Sequence, residues 1–95
     1  MTNVINCINY KCKEIIKLHK DDYIQTLIEL SSLYNEIMSF YDDKINNIFI
    51  SPSNNIRAET DRHIKNEYIK LKGLCAEEIS GFIDDVIHNV NEQCQ

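Results

Sequence analysis

The sequence has no tryptophan, one proline and two glycines among its 95 residues. Because proline and glycine are the residues that most often interrupt helices and form turns, their scarcity predicts few turns and long elements. No apolar run approaches the length of about 20 residues that crosses a bilayer, so no membrane partner is predicted. The net charge of the chain is -5. Because binding to nucleic acid requires a positively charged surface, this charge disfavours nucleic acid as a partner.

Four cysteines, Cys7, Cys12, Cys75 and Cys94, follow neither a CxxC pattern nor the dense spacing of small disulfide-rich secreted proteins. The first residues do not form the continuous apolar segment of a cleaved signal peptide, because Asn and Lys interrupt it. The sequence therefore predicts reduced thiols and a cytoplasmic protein. We expect Cys12 and Cys75 to lie inside apolar seams between helices.

Residues 23–50 contain apolar side chains every three or four positions and neither glycine nor proline. This spacing is typical of an amphipathic helix that buries one stripe against a partner. The stripe consists of Tyr23, Leu27, Leu30, Tyr34, Ile37, Tyr41, Ile45 and Ile48. The preceding segment keeps the same spacing, which leaves two alternatives for residues 3–50. They form one continuous arm, or a new helix begins after a cap at Asp21 or Asp22.

Residues 51–55 hold the only proline among small polar side chains, and we predict the corner of a hairpin there. Residues 56–91 return to helical spacing and form the second arm. Each arm has a basic and an acidic half, and antiparallel pairing places position i beside roughly 106 minus i, with unlike charges together. We therefore predict one all-α domain over 1–95, a long antiparallel helical hairpin, with folding into a three- or four-helix bundle or pairing as a dimer as alternatives.

Three residues on the first arm are the candidate site for a protein partner. Tyr34 and Tyr41 lie seven positions apart with Ile37 between them, so all three share one helical face. Tyrosine is favoured where a surface is half apolar and half wet, as in the binding of a helix in a groove. We predict that Tyr34, Ile37 and Tyr41 are consecutive anchors for a partner helix. The alternative is that they form only the edge of the core.

A cluster of acidic residues on the second arm consists of Glu77, Glu78, Asp84 and Asp85. It resembles the Glu-Glu and Glu-x-x-Asp pairs with which helical nucleotide pyrophosphohydrolases hold magnesium, and the resemblance implies a small metal-dependent hydrolase. Those enzymes need a second acidic pair on another helix. The only candidates on the first arm, at the wrong end of an antiparallel hairpin, are Glu36, Asp42 and Asp43.

The sequence contains no glycine-rich phosphate loop and no Ser-His-Asp or Cys-His pattern of a nucleophilic enzyme. We therefore predict a non-enzymatic protein–protein interaction module, that is, a small adaptor, inhibitor or antitoxin-like binder, which also self-associates. No cofactor and no metal are expected. In size, acidity and hairpin shape the chain is similar to the small helical proteins exported with partners by the WXG-type pathway, although no Trp-x-Gly stands at the corner.

Overall fold

The computed structural model describes residues 2–50 and 56–93, and most of these residues belong to three helices. Helix α1 spans Thr2–Leu18, α2 spans Tyr23–Asn46 and α3 spans Ile56–Gln93. The described residues contain no strand, and the three helices pack together. The prediction of an all-α protein is therefore confirmed. The predicted corner at 51–55 lies outside the described residues.

The first half of the chain is broken into two helices at residues 19–22, which decides between the two alternatives for residues 3–50. Asp22 is the residue that caps α2, because its Oδ1 accepts a hydrogen bond of 3.0 Å from the backbone N–H of Gln25. The first turn of a helix leaves backbone N–H groups without partners, and a carboxylate at the cap position satisfies one of them.

Contacts across this turn fold α1 back onto α2. Thr26 is only 2% exposed, and its hydroxyl lies within hydrogen-bonding distance of the carbonyl oxygens of Asp22, at 2.9 Å, and His19, at 3.1 Å. The Nε2 atom of His19 also contacts a carboxylate oxygen of Glu29. These contacts tie the residue after α1 to the first two turns of α2, so the chain reverses its direction.

After this reversal, residues near the start of α1 lie beside the end of α2. Ile8 borders an apolar groove together with Ile37 and Tyr41. Helix α1 also contacts α3, since the Nδ2 atom of Asn9 donates a hydrogen bond of 2.8 Å to Oε1 of Glu78. Each helix therefore contacts both of the others.

Helices α2 and α3 share the most extensive contact. The ring centroids of Tyr41 and Tyr68 are 6.2 Å apart, and Nζ of Lys72 lies 2.5 Å from Oδ1 of Asp42. The predicted register placed position 42 beside roughly position 64, so the observed partner lies about two helical turns further along α3. Helix α2 ends at Asn46, so residues 48–50, which the apolar spacing placed in the helix, are not helical. Because Asp42 pairs with Lys72, the end of α2 at Asn46 lies beside roughly position 68, and the first turns of α3 extend beyond it.

Side chains from all three helices form a single buried cluster: Ile8, Cys12, Leu30, Tyr41, Cys75, Ile79 and Val86. The prediction that Cys12 and Cys75 lie in apolar seams is confirmed, because both are completely buried. The molecule measures 60 × 20 × 19 Å. A body this thin has a core one side chain deep, so many apolar residues of the helices remain partly exposed.

The first test of this packing compares two Leu→Ala substitutions. Leu30 is completely buried between helices, whereas Leu18 is 75% exposed at the end of α1. We expect Leu30→Ala to lower the free energy of unfolding by about 2 to 5 kcal/mol, because it removes buried methyl groups and leaves a cavity. Leu18→Ala should change it by less than about 0.5 kcal/mol. Urea unfolding followed by circular dichroism measures both, and equal losses would contradict this core.

A second comparison tests the cap of α2. Asp22→Ala removes the acceptor for the Gln25 N–H and should cost about 0.5 to 2 kcal/mol of stability. Asp21→Ala removes the same charge from the neighbouring exposed position and serves as the matched control. Thermal melting at one pH and ionic strength compares the two variants. A cap at Asp22 is contradicted if the two midpoints coincide.

Candidate protein-binding groove

An apolar groove of about 330 Å³ lies between α1 and α2. Its apolar lining comes from both helices: Val4, Cys7, Ile8, Leu33, Ile37, Phe40 and Tyr41. Polar side chains also border it, and two of them, Lys11 on α1 and Glu36 on α2, carry opposite charges. The groove therefore offers an apolar interior bordered by one cation and one anion.

The groove follows from how the two helices present their side chains. Leu33, Ile37 and Phe40 are spaced four and then three positions apart, so they share one face of α2. The lining from α1 near its start is small, with Val4 and Cys7. Short side chains on one helix leave space in front of the long ones on the other, and Phe40 remains 53% exposed.

The structure brings two of the three predicted partner-binding residues to this groove. Ile37 and Tyr41 line it, whereas Tyr34 is not part of its lining and packs, half-buried, against the core. Tyr41 is only 5% exposed, and its ring contacts those of Phe40, at 5.2 Å between centroids, and Tyr68. Tyr41 therefore forms a wall of the groove and does not project from the surface.

The hydroxyl of Tyr41 is engaged within the chain, where it forms a hydrogen bond with the thiol of Cys75. Burial raises the pKa of Tyr41, and the neighbouring Cys75 raises it further. Burial likewise raises the pKa of Cys75, while the hydrogen bond from Tyr41 partly lowers it. Both groups are held in their neutral forms, which is what burial between helices without a counter-charge favours.

Phe40 is the groove residue that sequence analysis missed. Counting three or four positions at a time from Tyr23 selects Ile37 and then Tyr41, so Phe40 is not included in the predicted stripe. The available signal was the separation of seven positions between Leu33 and Phe40, with Ile37 between them. The ammonium group of Lys44 lies 5.5 Å from the centroid of the Phe40 ring, and such a cation over a ring face is attracted to it.

Three of the four cysteines lie in the described residues, and all three are free thiols. Cys7 is exposed and borders the groove, whereas Cys12 and Cys75 are buried. Burial, together with the negative charge of Glu78, raises the pKa of Cys12 to about 11. Cys94 lies outside the described residues.

The acidic cluster of α3 does not form a single site. Glu77, Glu78 and Asp85 border a shallow pocket of about 260 Å³, but Asp84 does not. One oxygen of Glu78 already accepts the hydrogen bond from Asn9 on α1. Within residues 2–50 and 56–93, no three His, Cys, Asp or Glu side chains are grouped as metal ligands.

Comparison of the chain with protein-family models, with curated proteins and with solved structures gives no match. Among the residues that the structure describes, no helix combines the length and the apolar character required to cross a membrane.

Thiol labelling tests the placement of the cysteines around the groove. In a Cys94→Ser background, we expect a maleimide at mildly alkaline pH to modify Cys7 rapidly, because this thiol is exposed. Cys12 and Cys75 should react only as fast as the protein unfolds, since they are buried and their pKa values are raised. Peptide mapping by mass spectrometry identifies the labelled sites. Native-state labelling of Cys12 at the rate of Cys7 would contradict the packing of α1.

Proposed function

We propose that this chain is a non-enzymatic helical protein–protein interaction module, a small adaptor, inhibitor or antitoxin-like binder. In this proposal the groove between α1 and α2 holds the apolar stripe of a helix from a partner protein. The single observation that carries the proposal is an apolar groove with a half-exposed Phe40 at its border. Grooves of this type are a recurrent way for proteins to bind amphipathic helices.

The dimensions of the groove support a helical segment as the occupant. Its α2 wall runs from Leu33 to Tyr41, a rise of about 12 Å, or roughly two helical turns. Two turns of a bound helix present apolar anchors at spacings of three, four and seven. Lys11 and Glu36 favour a partner that carries an acidic residue on one side of these anchors and a basic residue on the other.

The predicted anchors take different parts in this proposal. Ile37 and Tyr41 form the wall against which a bound helix packs, and Phe40 supplies an exposed ring at the border of the groove. Aromatic residues, phenylalanine among them, are enriched in protein–protein interfaces. Tyr34 acts indirectly, because it packs on the core from the helix that carries the other three.

Self-association and a cytoplasmic location are part of the proposal. Free thiols at Cys7, Cys12 and Cys75 support a reducing compartment, where disulfides are rare. Several large apolar side chains of the described residues are exposed, including Ile24 at 74% and Ile87 at 42%, and such exposure supports a second contact surface. The rival function, a metal-dependent hydrolase built on the α3 acidic cluster, receives no comparable support from the geometry.

A library of displayed peptides tests the groove without knowledge of the natural partner. We expect selection on the intact protein to enrich amphipathic helical peptides with anchors at spacings of three, four and seven. Phe40→Ser should weaken the selected peptides by about 1 to 3 kcal/mol, because it removes the exposed ring. Phe49→Ser is the matched control, since Phe49 is 80% exposed and does not line the groove. Fluorescence anisotropy with a labelled peptide measures the affinities.

Two outcomes would overturn the proposal. One is that the selected peptides bind Phe40→Ser as tightly as they bind the unsubstituted protein and the Phe49→Ser control. The other is a magnesium-dependent nucleotide hydrolysis that Glu78→Gln abolishes, because the acidic cluster would then be an active site.

A further inference from the structure

The seam between α2 and α3 has an uncovered side away from α1. Asp42 borders this seam, because it forms the ion pair with Lys72 of α3. Ile28 and Ile24 lie fourteen and eighteen positions before Asp42, which places all three on one stripe of α2. Ile28 is 55% exposed and Ile24 is 74% exposed. The groove between α1 and α2 lies on the other side of α2, where Leu33 and Phe40 are.

The stripe of α3 that contains Lys72 has a nearly symmetric order of apolar, charged and small residues about its centre. Its residues are spaced three, four, four, four and three positions apart: Ile69, Lys72, Ala76, Ser80, Asp84 and Ile87. An isoleucine stands at each end, a basic residue faces an acidic one across the centre, and two small residues occupy the middle. The pairs 69 and 87, 72 and 84, and 76 and 80 are each centred on position 78. When two copies of this stripe lie antiparallel, each residue therefore faces the other member of its pair.

The accessible surface of the chain is large for its mass. The chain exposes 6875 Å². A compact monomer of 11.1 kDa exposes about 5,700 Å², so the excess is about 1,200 Å². A stable interface of standard size removes about 800 Å² from each partner. The elongated shape therefore leaves enough extra surface for one interface between two copies.

We propose that a second copy of this chain docks on the uncovered side of the α2–α3 seam, with the two α3 helices antiparallel about a two-fold axis at position 78. This inference deepens the self-association included in the proposed function by naming its surface and its symmetry. It concerns a surface other than the groove, so it can fail while peptide binding at Phe40 remains.

In this arrangement each pair of matching residues forms twice, as a two-fold axis requires. Ile69 of one copy contacts Ile87 of the other, and Lys72 faces Asp84. Ala76 and Ser80 meet near the axis, where small side chains allow two helices to approach closely. Ile24 and Ile28 extend the apolar contact, because the ion pair at Asp42 places them level with the end of α3 that contains Ile87.

Charge exchange between positions 72 and 84 tests both the surface and the symmetry. Sedimentation equilibrium of the full chain should give twice 11.1 kDa at micromolar concentrations. Lys72→Asp and Asp84→Lys should each weaken the dimer by about tenfold or more, because each variant alone places like charges opposite one another. An equimolar mixture of the two variants should restore a dimer, since every pair then joins an acid to a base.

Lys70→Asp and Asp85→Lys make the same changes of charge at exposed positions of α3 off the stripe, and both should remain dimeric. A monomeric mass for the unsubstituted chain, or a mixture no tighter than its components, would overturn the proposal. Lys72 also pairs with Asp42, so Lys72→Asp is checked for folding by circular dichroism. If that variant unfolds, Asp84→Lys alone decides: it must dimerise about tenfold more weakly than Asp85→Lys, and equal affinities would refute the surface.

Discussion

The reversal of the chain at residues 19–22 is the constraint on which the other features depend. A buried Thr26 hydroxyl next to the carbonyls of His19 and Asp22, together with the Asp22 cap, ends one helix and begins the next. Were residues 3–50 one straight helix, α1 would continue beyond α2 and could not pack against it. The groove would then not exist, and the buried cluster would lose Ile8 and Cys12, its side chains from α1.

Because α1 packs back on α2, the side chains between these two helices form part of the core and also line the groove. Cys12 lies in the core and Ile8 lies in both the core and the groove lining, while Val4 and Cys7 line the groove, where their small size leaves it open. Tyr41 belongs to both, because its ring lines the groove and its hydroxyl bonds to Cys75 in the core. A change at Tyr41 would therefore alter stability together with binding, whereas Phe40 offers a cleaner separation of the two.

The two proposed surfaces divide the outside of α2 between them. One flank carries Leu33 and Phe40 and borders the groove with α1, and the other carries Ile24 and Ile28 beside α3. A long helix in a thin molecule has more apolar side chains than one neighbour can cover, so exposed stripes persist on both flanks. This distribution allows two copies to associate through α3 while each groove stays free to bind another protein.

Sequence alone determined the all-α class and the burial of Cys12 and Cys75, because helical periodicity and the scarcity of glycine and proline are local signals. It also identified Asp21 and Asp22 as the place of a break. Tertiary structure decided that the break occurs and that α3 lies about two turns away from the predicted register. It also decided that Ile37 and Tyr41 line the groove and Tyr34 does not. These outcomes depend on the path of the non-helical connections and on which helix packs against each side of its neighbour. The spacing of apolar residues along one helix specifies neither of them.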